Sequence, residues 1–131
     1  MRRLVILLIP LLAGCSLTPI PDVTSAWQEP CEVALRRCAV EFKLKAGTEQ
    51  SVELRGSFRA DGWTKGEPMQ HTGDSWVATV EVPWGSAVQY KFFVNGATWV
   101  LDPANPATGT TAGVTNSLVS NVTCAKWTCS G

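Results

Sequence analysis

Hydrophobic and polar positions alternate along much of the chain from residue 40 onward. Val40, Phe42 and Leu44 alternate with Glu41, Lys43 and Lys45, the period-two pattern of a half-buried strand, since successive strand side chains point to opposite faces. Val52, Leu54 and Gly56 alternate with Glu53 and Arg55 in a second strand. A third runs through Trp76, Ala78, Val80 and Val82 and ends at Pro83, which has no N–H to continue a ladder. The fourth, 88–94, puts Val88, Tyr90, Phe92 and Val94 on one face and Gln89, Lys91 and Phe93 on the other. Such a strand is expected to be covered on part of both faces. Asn95-Gly96 signals a hairpin with Trp99-Val100-Leu101 returning, and a last strand is expected over 117–123. Ala46–Gln50 and Pro83–Ser86 are turn-like, and so is MQHTGDS at 69–75. Only CEVALRRC, residues 31–38, has helical character. Asp102–Thr115, rich in Pro, Gly, Thr and Ala, stands out as a long loop, the kind that is functional or mobile. Short strands separated by regular turn signals predict an all-β sandwich.

The pattern changes completely at the N-terminus, MRRLVILLIPLLAGCS. Arg2 and Arg3 precede an apolar stretch that Pro10 interrupts and that is too short to span a bilayer. Ala13 and Gly14 follow as small residues at a cleavage site, so residues 1–14 are expected to be a signal peptide. Leu12-Ala13-Gly14-Cys15 resembles the bacterial lipobox, which implies that Cys15 is lipidated and begins the mature protein. Several acyl chains on Cys15 would anchor the protein firmly, whereas one binds a membrane only marginally. Ser16, where Asp would be the usual inner-membrane retention signal, directs the expectation to the outer membrane of a Gram-negative envelope. Residues 15–30, with three prolines and no periodicity, are expected to be a tether, and 31–131 the folded domain. Trp27 lies in the tether as a candidate clamp on the domain edge.

Charge narrows the partners. Eleven basic residues balance eleven acidic ones, and losing the leader removes two arginines and no acid, leaving a slightly acidic chain. That leaves no electrostatic footprint for nucleic acid. A hydrophobic fraction of 45% is too high for a disordered chain.

Catalytic patterns are missing. The sequence has no HExxH, GxSxG or P-loop, and no Cys/His set with zinc spacing, so neither metal nor cofactor is implied. The one histidine, His71, has the ordinary reading of a solvated surface residue. Asp61, Asp74 and Asp102 could in principle supply a carboxylate pair, but all sit in turns, where Asp is commonplace. The expectation is a protein that is not an enzyme.

A family resemblance enters with VELRGSF (52–58), Trp63, Met69, GDSWVATVEVPWG (73–85), VQYKFFVNG (88–96), TWVLDPANP (98–106) and AGVTNSLV (112–119). In this order they resemble the carbohydrate-binding modules of family 48, which include the glycogen-binding domain of the AMP-activated protein kinase beta subunit and the early-set domains of isoamylase and branching enzymes. The resemblance implies an immunoglobulin-like β-sandwich of about six to eight strands. It also implies an α-glucan or related oligosaccharide as ligand. Two tryptophans, a lysine and an asparagine form the family's sugar-binding face; motif position carries these roles to Trp63, Trp99, Lys91 and Asn116. Three departures bear on that face. The spacing from Phe58 to Trp63 and from Gly96 to Trp99 is longer here than in the kinase-type domain, and Ala112 replaces a leucine that leans on the glucan.

The residue types suit the task independently. A pyranose presents a patch of C–H bonds that stacks on an aromatic face, and Trp offers the largest flat apolar area at small entropic cost. Lys91 and Asn116 could hydrogen-bond hydroxyls between two such rings. Of the other tryptophans, Trp76 is expected in the core, Trp27 and Trp127 at the ends, and Trp84 either capping an edge or exposed. The alternative function is an immunoglobulin-like envelope domain that binds a protein partner and no sugar.

Five cysteines divide into Cys15 for lipid and four flanking the resemblance, Cys31, Cys38, Cys124 and Cys129. Four permit three pairings, and an exported protein can form them. Local bridges, Cys31–Cys38 and Cys124–Cys129, are the first expectation. A continuous helix over 31–38 would hold that pair about 10 Å apart, beyond bridging reach. Cys38–Cys124 or Cys38–Cys129 would then tie the first strand to the last.

Overall fold

A computed structural model describes Gly14 and residues 31–130. Cys15, Trp27 and, Gly14 apart, the expected leader and tether lie outside the described residues.

The fold is an all-β sandwich of two antiparallel sheets, and the alternation explains its pairing. In the first sheet β1 (Arg36–Lys45) buries Cys38, Phe42 and Leu44. Its partner β5 (Ser75–Pro83) buries Trp76, Ala78, Val80 and Val82. The register sets Cys38 opposite Val82, Phe42 opposite Ala78 and Leu44 opposite Trp76, so both apolar rows face the same way. Two short strands, β4 (Gln70–Thr72) and β10 (Thr128–Cys129), flank this pair in the order β10-β1-β5-β4.

The second sheet contains β2 (Val52–Gly56), β3 (Glu67–Pro68), β6 (Val88–Val94), β8 (Thr108–Thr111) and β9 (Val114–Val119), in the order β3-β2-β6-β9-β8. β7 (Thr98–Val100) pairs with β6 off that path. Leu54, Val88, Tyr90 and Phe92 from this sheet meet Phe42, Leu44 and Val82 of the other in one core, closed by Phe58, Met69 and Val122. The Phe42 and Tyr90 rings meet edge to face at 4.6 Å, a favoured aromatic geometry.

Tyr90 is buried, so its hydroxyl needs a partner. It donates to Asp102 Oδ2 at 2.7 Å and accepts from Asn105 Nδ2 at 3.1 Å. Burial first, then the Asp102 carboxylate, pushes this hydroxyl well above the ordinary phenol range. Asp102 Oδ1 accepts from the Ala104 N–H and Asn105 donates to the Leu118 carbonyl. These bonds pin the start of the segment that composition marks as a long loop.

The rest of that segment is also ordered, which corrects the expectation. Thr108–Thr111 and Val114–Val119 form a hairpin whose turn, Ala112-Gly113, takes positive φ at both positions (49° and 79°). A two-residue hairpin turn of this hand requires that conformation. The strand expected over 117–123 is therefore β9, which begins and ends earlier and is followed by β10; Asn121, at φ 52°, turns the chain away. Val122 instead exchanges backbone hydrogen bonds with Gly85 and Ser86. MQHTGDS likewise contains β4, and the helical expectation at 31–38 shrinks to a single 3-10 turn, Val33–Leu35, before β1 begins.

The cysteines pair as Cys31–Cys129 and Cys38–Cys124. The local bridges are overturned because Arg36–Cys38 is already extended strand, which carries Cys38 away from Cys31. β10 returns antiparallel to the start of β1, with Cys129 opposite Arg36, and so brings the C-terminal cysteines alongside the N-terminal pair. Trp84 caps this end. It meets Trp127 edge to face at 5.5 Å, and the Arg36 guanidinium lies 4.2 Å from the Trp127 ring centre and 5.5 Å from that of Trp84. Trp76 is core, as expected, with the exposed His71 stacked on it at 4.9 Å.

Peptide mapping without reduction should recover Cys31–Cys129 and Cys38–Cys124. Replacing Cys38 and Cys124 by Ala should lower stability in urea by about 3 kcal/mol, because Cys31–Cys129 already closes the long loop and the inner bridge adds only the short ring between the two.

Candidate functional site

β6 is where the site begins. Its inner residues are core, so Gln89, Lys91 and Phe93 must lie on the outer face of the second sheet. The pairing then assigns neighbours. Phe93 stands between Glu53 of β2 and Trp99 of β7, and Lys91 stands opposite Arg55. The β6–β9 register sets Tyr90 opposite Ser117, and one step further brings Asn116 beside Lys91.

Trp99 is 46% exposed, an unusual state for so large an apolar ring. It rests on Phe93, ring centres 4.6 Å apart. Trp63, delivered by the loop between β2 and β3, comes within 6.5 Å of Trp99 with 51° between the ring planes. The two rings therefore form the walls of a V rather than a flat platform. A pocket of about 310 Å³ opens between them, lined by Trp63, Lys91, Trp99, Thr111, Val114 and Asn116. All four residues singled out in the sequence line one concavity.

Local chemistry fixes the walls. Arg55 donates from Nη1 to the carbonyls of Trp63 and Thr64, both at 2.9 Å. Glu53 Oε2 holds the other side of the guanidinium, 2.8 Å from Nε and 2.6 Å from Nη2. The same guanidinium lies over Phe93, 4.6 Å from the ring centre, and 5.7 Å from that of Trp99. One side chain thus joins the Trp63 loop, β2 and the support of Trp99. Arg59 braces the loop from outside, through Asp61, Glu67 and the carbonyls of Lys65 and Gly66. The bond to Glu67 holds this guanidinium still more firmly protonated. Gly62 lets the loop close: a Cβ there would lie 2.1 Å from the Gly56 carbonyl oxygen.

On the other wall Asn116 is buried at 3% exposure. Its amide N–H groups go to Gln89 Oε1 at 2.9 Å and the Val114 carbonyl at 3.3 Å, leaving Oδ1 as the atom offered to a ligand. Gln89 Oε1 also accepts from the Thr111 hydroxyl at 2.6 Å, which ties β8 to the site. Lys91 is half-buried and makes no ion pair among the described residues.

Thr111, Val114, Gln89 and Arg55 are site residues that sequence reasoning missed. Val114, 52% exposed, supplies the apolar wall that Ala112 cannot, since Ala112 is spent on the hairpin turn. Gln89 and Arg55 were visible only as outward-facing polar residues of strands. The lengthened spacings before Trp63 and Trp99 do not remove either ring from the site. The carboxylates considered for catalysis have local partners: Asp61 holds Arg59, Asp74 accepts from Ser75, and Asp102 accepts from Tyr90.

A family model described as the glycogen recognition site of AMP-activated protein kinase matches residues 38–125. That is more than half of the chain, which therefore belongs to this family of carbohydrate-binding modules. No curated protein matches. β10 and the Cys31–Cys129 bridge lie beyond the matched residues.

Arg55→Ala should release the Trp63 loop while the core persists. Amide exchange at Trp63–Lys65 is expected to speed up markedly, with a global loss of roughly 1–3 kcal/mol for a charged group bonded to two carbonyls. Unchanged exchange there would show that Arg55 does not hold the loop.

Proposed function

We propose that this member of the glycogen-recognition family binds an α-glucan by stacking successive sugar rings on Trp63 and Trp99. Lys91 and the Oδ1 of Asn116 meet the hydroxyls. The observation that carries the reading is the convergence of these four side chains, from a loop and three strands, on one pocket of about 310 Å³. Its volume falls at the lower end of the range for small-ligand sites, and its pairing of aromatic walls with few polar groups is their usual make-up.

The tilt of the rings supports an α-linked chain. Glucose units joined through α-1,4 bonds turn relative to one another, so the polymer coils. A β-1,4 chain is a flat ribbon and suits coplanar rings. Walls inclined at 51° receive the first shape better than the second. Arg55 and Arg59 hold the Trp63 loop in place before any ligand arrives, which reduces the entropy lost on binding.

The module is read as binding without catalysis, since its candidate carboxylates serve the loops that carry them. Leu12-Ala13-Gly14-Cys15 supports a lipid anchor on Cys15, the prolines and missing periodicity of 15–30 support a tether to the domain at 31–131, and Ser16 after the cysteine supports the outer membrane as location. A glucan-binding domain on such a tether would hold polysaccharide at the cell envelope.

Affinity electrophoresis of the folded protein should show retardation in gels containing glycogen or amylose. Trp99→Ala should weaken binding roughly thirtyfold, the effect of about 2 kcal/mol lost at an aromatic anchor. Equal mobility with and without glucan would overturn the reading. For the anchor, Cys15→Ser should move the protein from the membrane to the soluble fraction and abolish labelling with palmitate. Continued membrane fractionation of that variant would refute lipidation at Cys15.

A further inference from the structure

Trp63 borders two concavities. It lines the pocket shared with Trp99 and also a trough of about 540 Å³ lined by Ser57, Phe58, Arg59, Ala60, Arg37 and Pro83. The trough lies where the loop leaving β2 passes the ends of β1 and β5. Arg59 and Ala60, in the part of the chain that lengthens the Phe58–Trp63 spacing, build its wall.

The chemistry of the trough matches that of a sugar chain. Ala60 and Pro83 contribute exposed apolar surface, and Phe58, nearly buried with the Arg59 guanidinium 5.2 Å from its ring centre, underlies them. Arg37, which lines the trough, spends one N–H on the Glu81 carbonyl at 2.9 Å and has four further donors on its guanidinium. The Ser57 Oγ accepts from the Gln89 N–H at 3.0 Å, leaving its own proton to donate. Both guanidiniums have acidic partners, Glu81 at 4.0 Å from Arg37 and Asp61 and Glu67 at 3.1 and 3.0 Å from Arg59. Those partners cancel the pull on an anion and leave hydrogen-bond donors over an apolar floor, which favours a neutral polyol. The wall is rigid, because Arg59 is bonded to two carbonyls and two carboxylates of the same loop.

We infer that the sugar site continues past Trp63 into this trough, which receives the next units of the same glucan chain. The inference rests on the reading of the Trp63–Trp99 pocket given above and adds to it a length requirement. Trp63 lines both concavities, so the units that follow one stacked on it need no second encounter to reach the trough. The ligand recognised is then a linear neutral oligosaccharide longer than the segment held between the two tryptophans.

Calorimetric titration of the full chain with maltotriose, maltopentaose and maltoheptaose tests this, using Ala60→Glu and Arg37→Gln as trough variants and Trp99→Ala as the pocket variant. Wild type should bind maltoheptaose more tightly than maltotriose. Part of that gain is statistical, since longer chains offer more registers, and the trough variants keep that part. The expected result is that both trough variants bind maltotriose like wild type but lose roughly tenfold on maltoheptaose, the size of one or two net hydrogen bonds. Trp99→Ala should weaken every length. If both trough variants bind maltoheptaose as tightly as wild type, the trough is not a subsite, and the pocket reading stands. If wild type binds no sugar of any length, the pocket reading falls and the extension with it.

Discussion

Every functional feature of this domain depends on β6 being hydrogen-bonded on both sides while both of its faces are occupied. Strand geometry sends Val88, Tyr90, Phe92 and Val94 inward, where burial of their apolar surface fixes the register against β2 and β9. Gln89, Lys91 and Phe93 have no freedom left: they must stand outside, one pleat apart, in a row. Phe93 supports Trp99, Lys91 lines the pocket and Gln89 orients Asn116 and Thr111. A slip of one residue would bury the lysine and expose the tyrosine. The core and the site therefore share one cause, and the hydrophobic side enforces the polar one.

Much of this was legible in the sequence because strands advertise themselves by alternation. The bounds of β6 and the inward row of β5 follow directly from it, and the double-sided character of 88–94 marks it as central. What escaped was ordered structure without apolar alternation. Thr108–Thr111 and Ala112-Gly113 have the composition of a loop, yet threonine's branched side chain suits an extended backbone and the Ala-Gly pair suits a tight turn. The cysteine pairing escaped for a different reason. Neither a helix over 31–38 nor a strand from Arg36 lets Cys38 reach Cys31; the partners are chosen by where the C-terminal segment returns, and β10, which fixes that return, is only two residues long.

The candidate site divides in the same way. Trp63, Lys91, Trp99 and Asn116 could be named from motif position, and the structure places them around one concavity. Their supports could not, because Arg55 and Gln89 act through partners distant in sequence. Arg55 reaches the carbonyls of Trp63 and Thr64, and Gln89 reaches Thr111 and Asn116. An outward-facing Arg or Gln on a strand carries no local sign that it will be enclosed. Two polar links of this kind, each partly buried, hold a pair of rings and the wall facing them in place, and preorganisation of that sort is where affinity is gained or lost.

The pairing of Cys31 with Cys129 has a mechanical consequence. Any pull transmitted through the residues before Cys31 enters the domain at two points at once. One path runs along the backbone into β1, in the first sheet. The other crosses the bridge to β10 and, through residues 120–127, reaches β9 in the second sheet beside Asn116. The load is shared between the sheets rather than peeling one strand from its neighbour, and Cys38–Cys124 clamps both paths again before they reach the core. On the proposed reading, in which the N-terminal side is held while a polymer is bound, covalent bonds brace the domain where the tug arrives, and the strands that shape the Trp63–Trp99 pocket lie behind that brace.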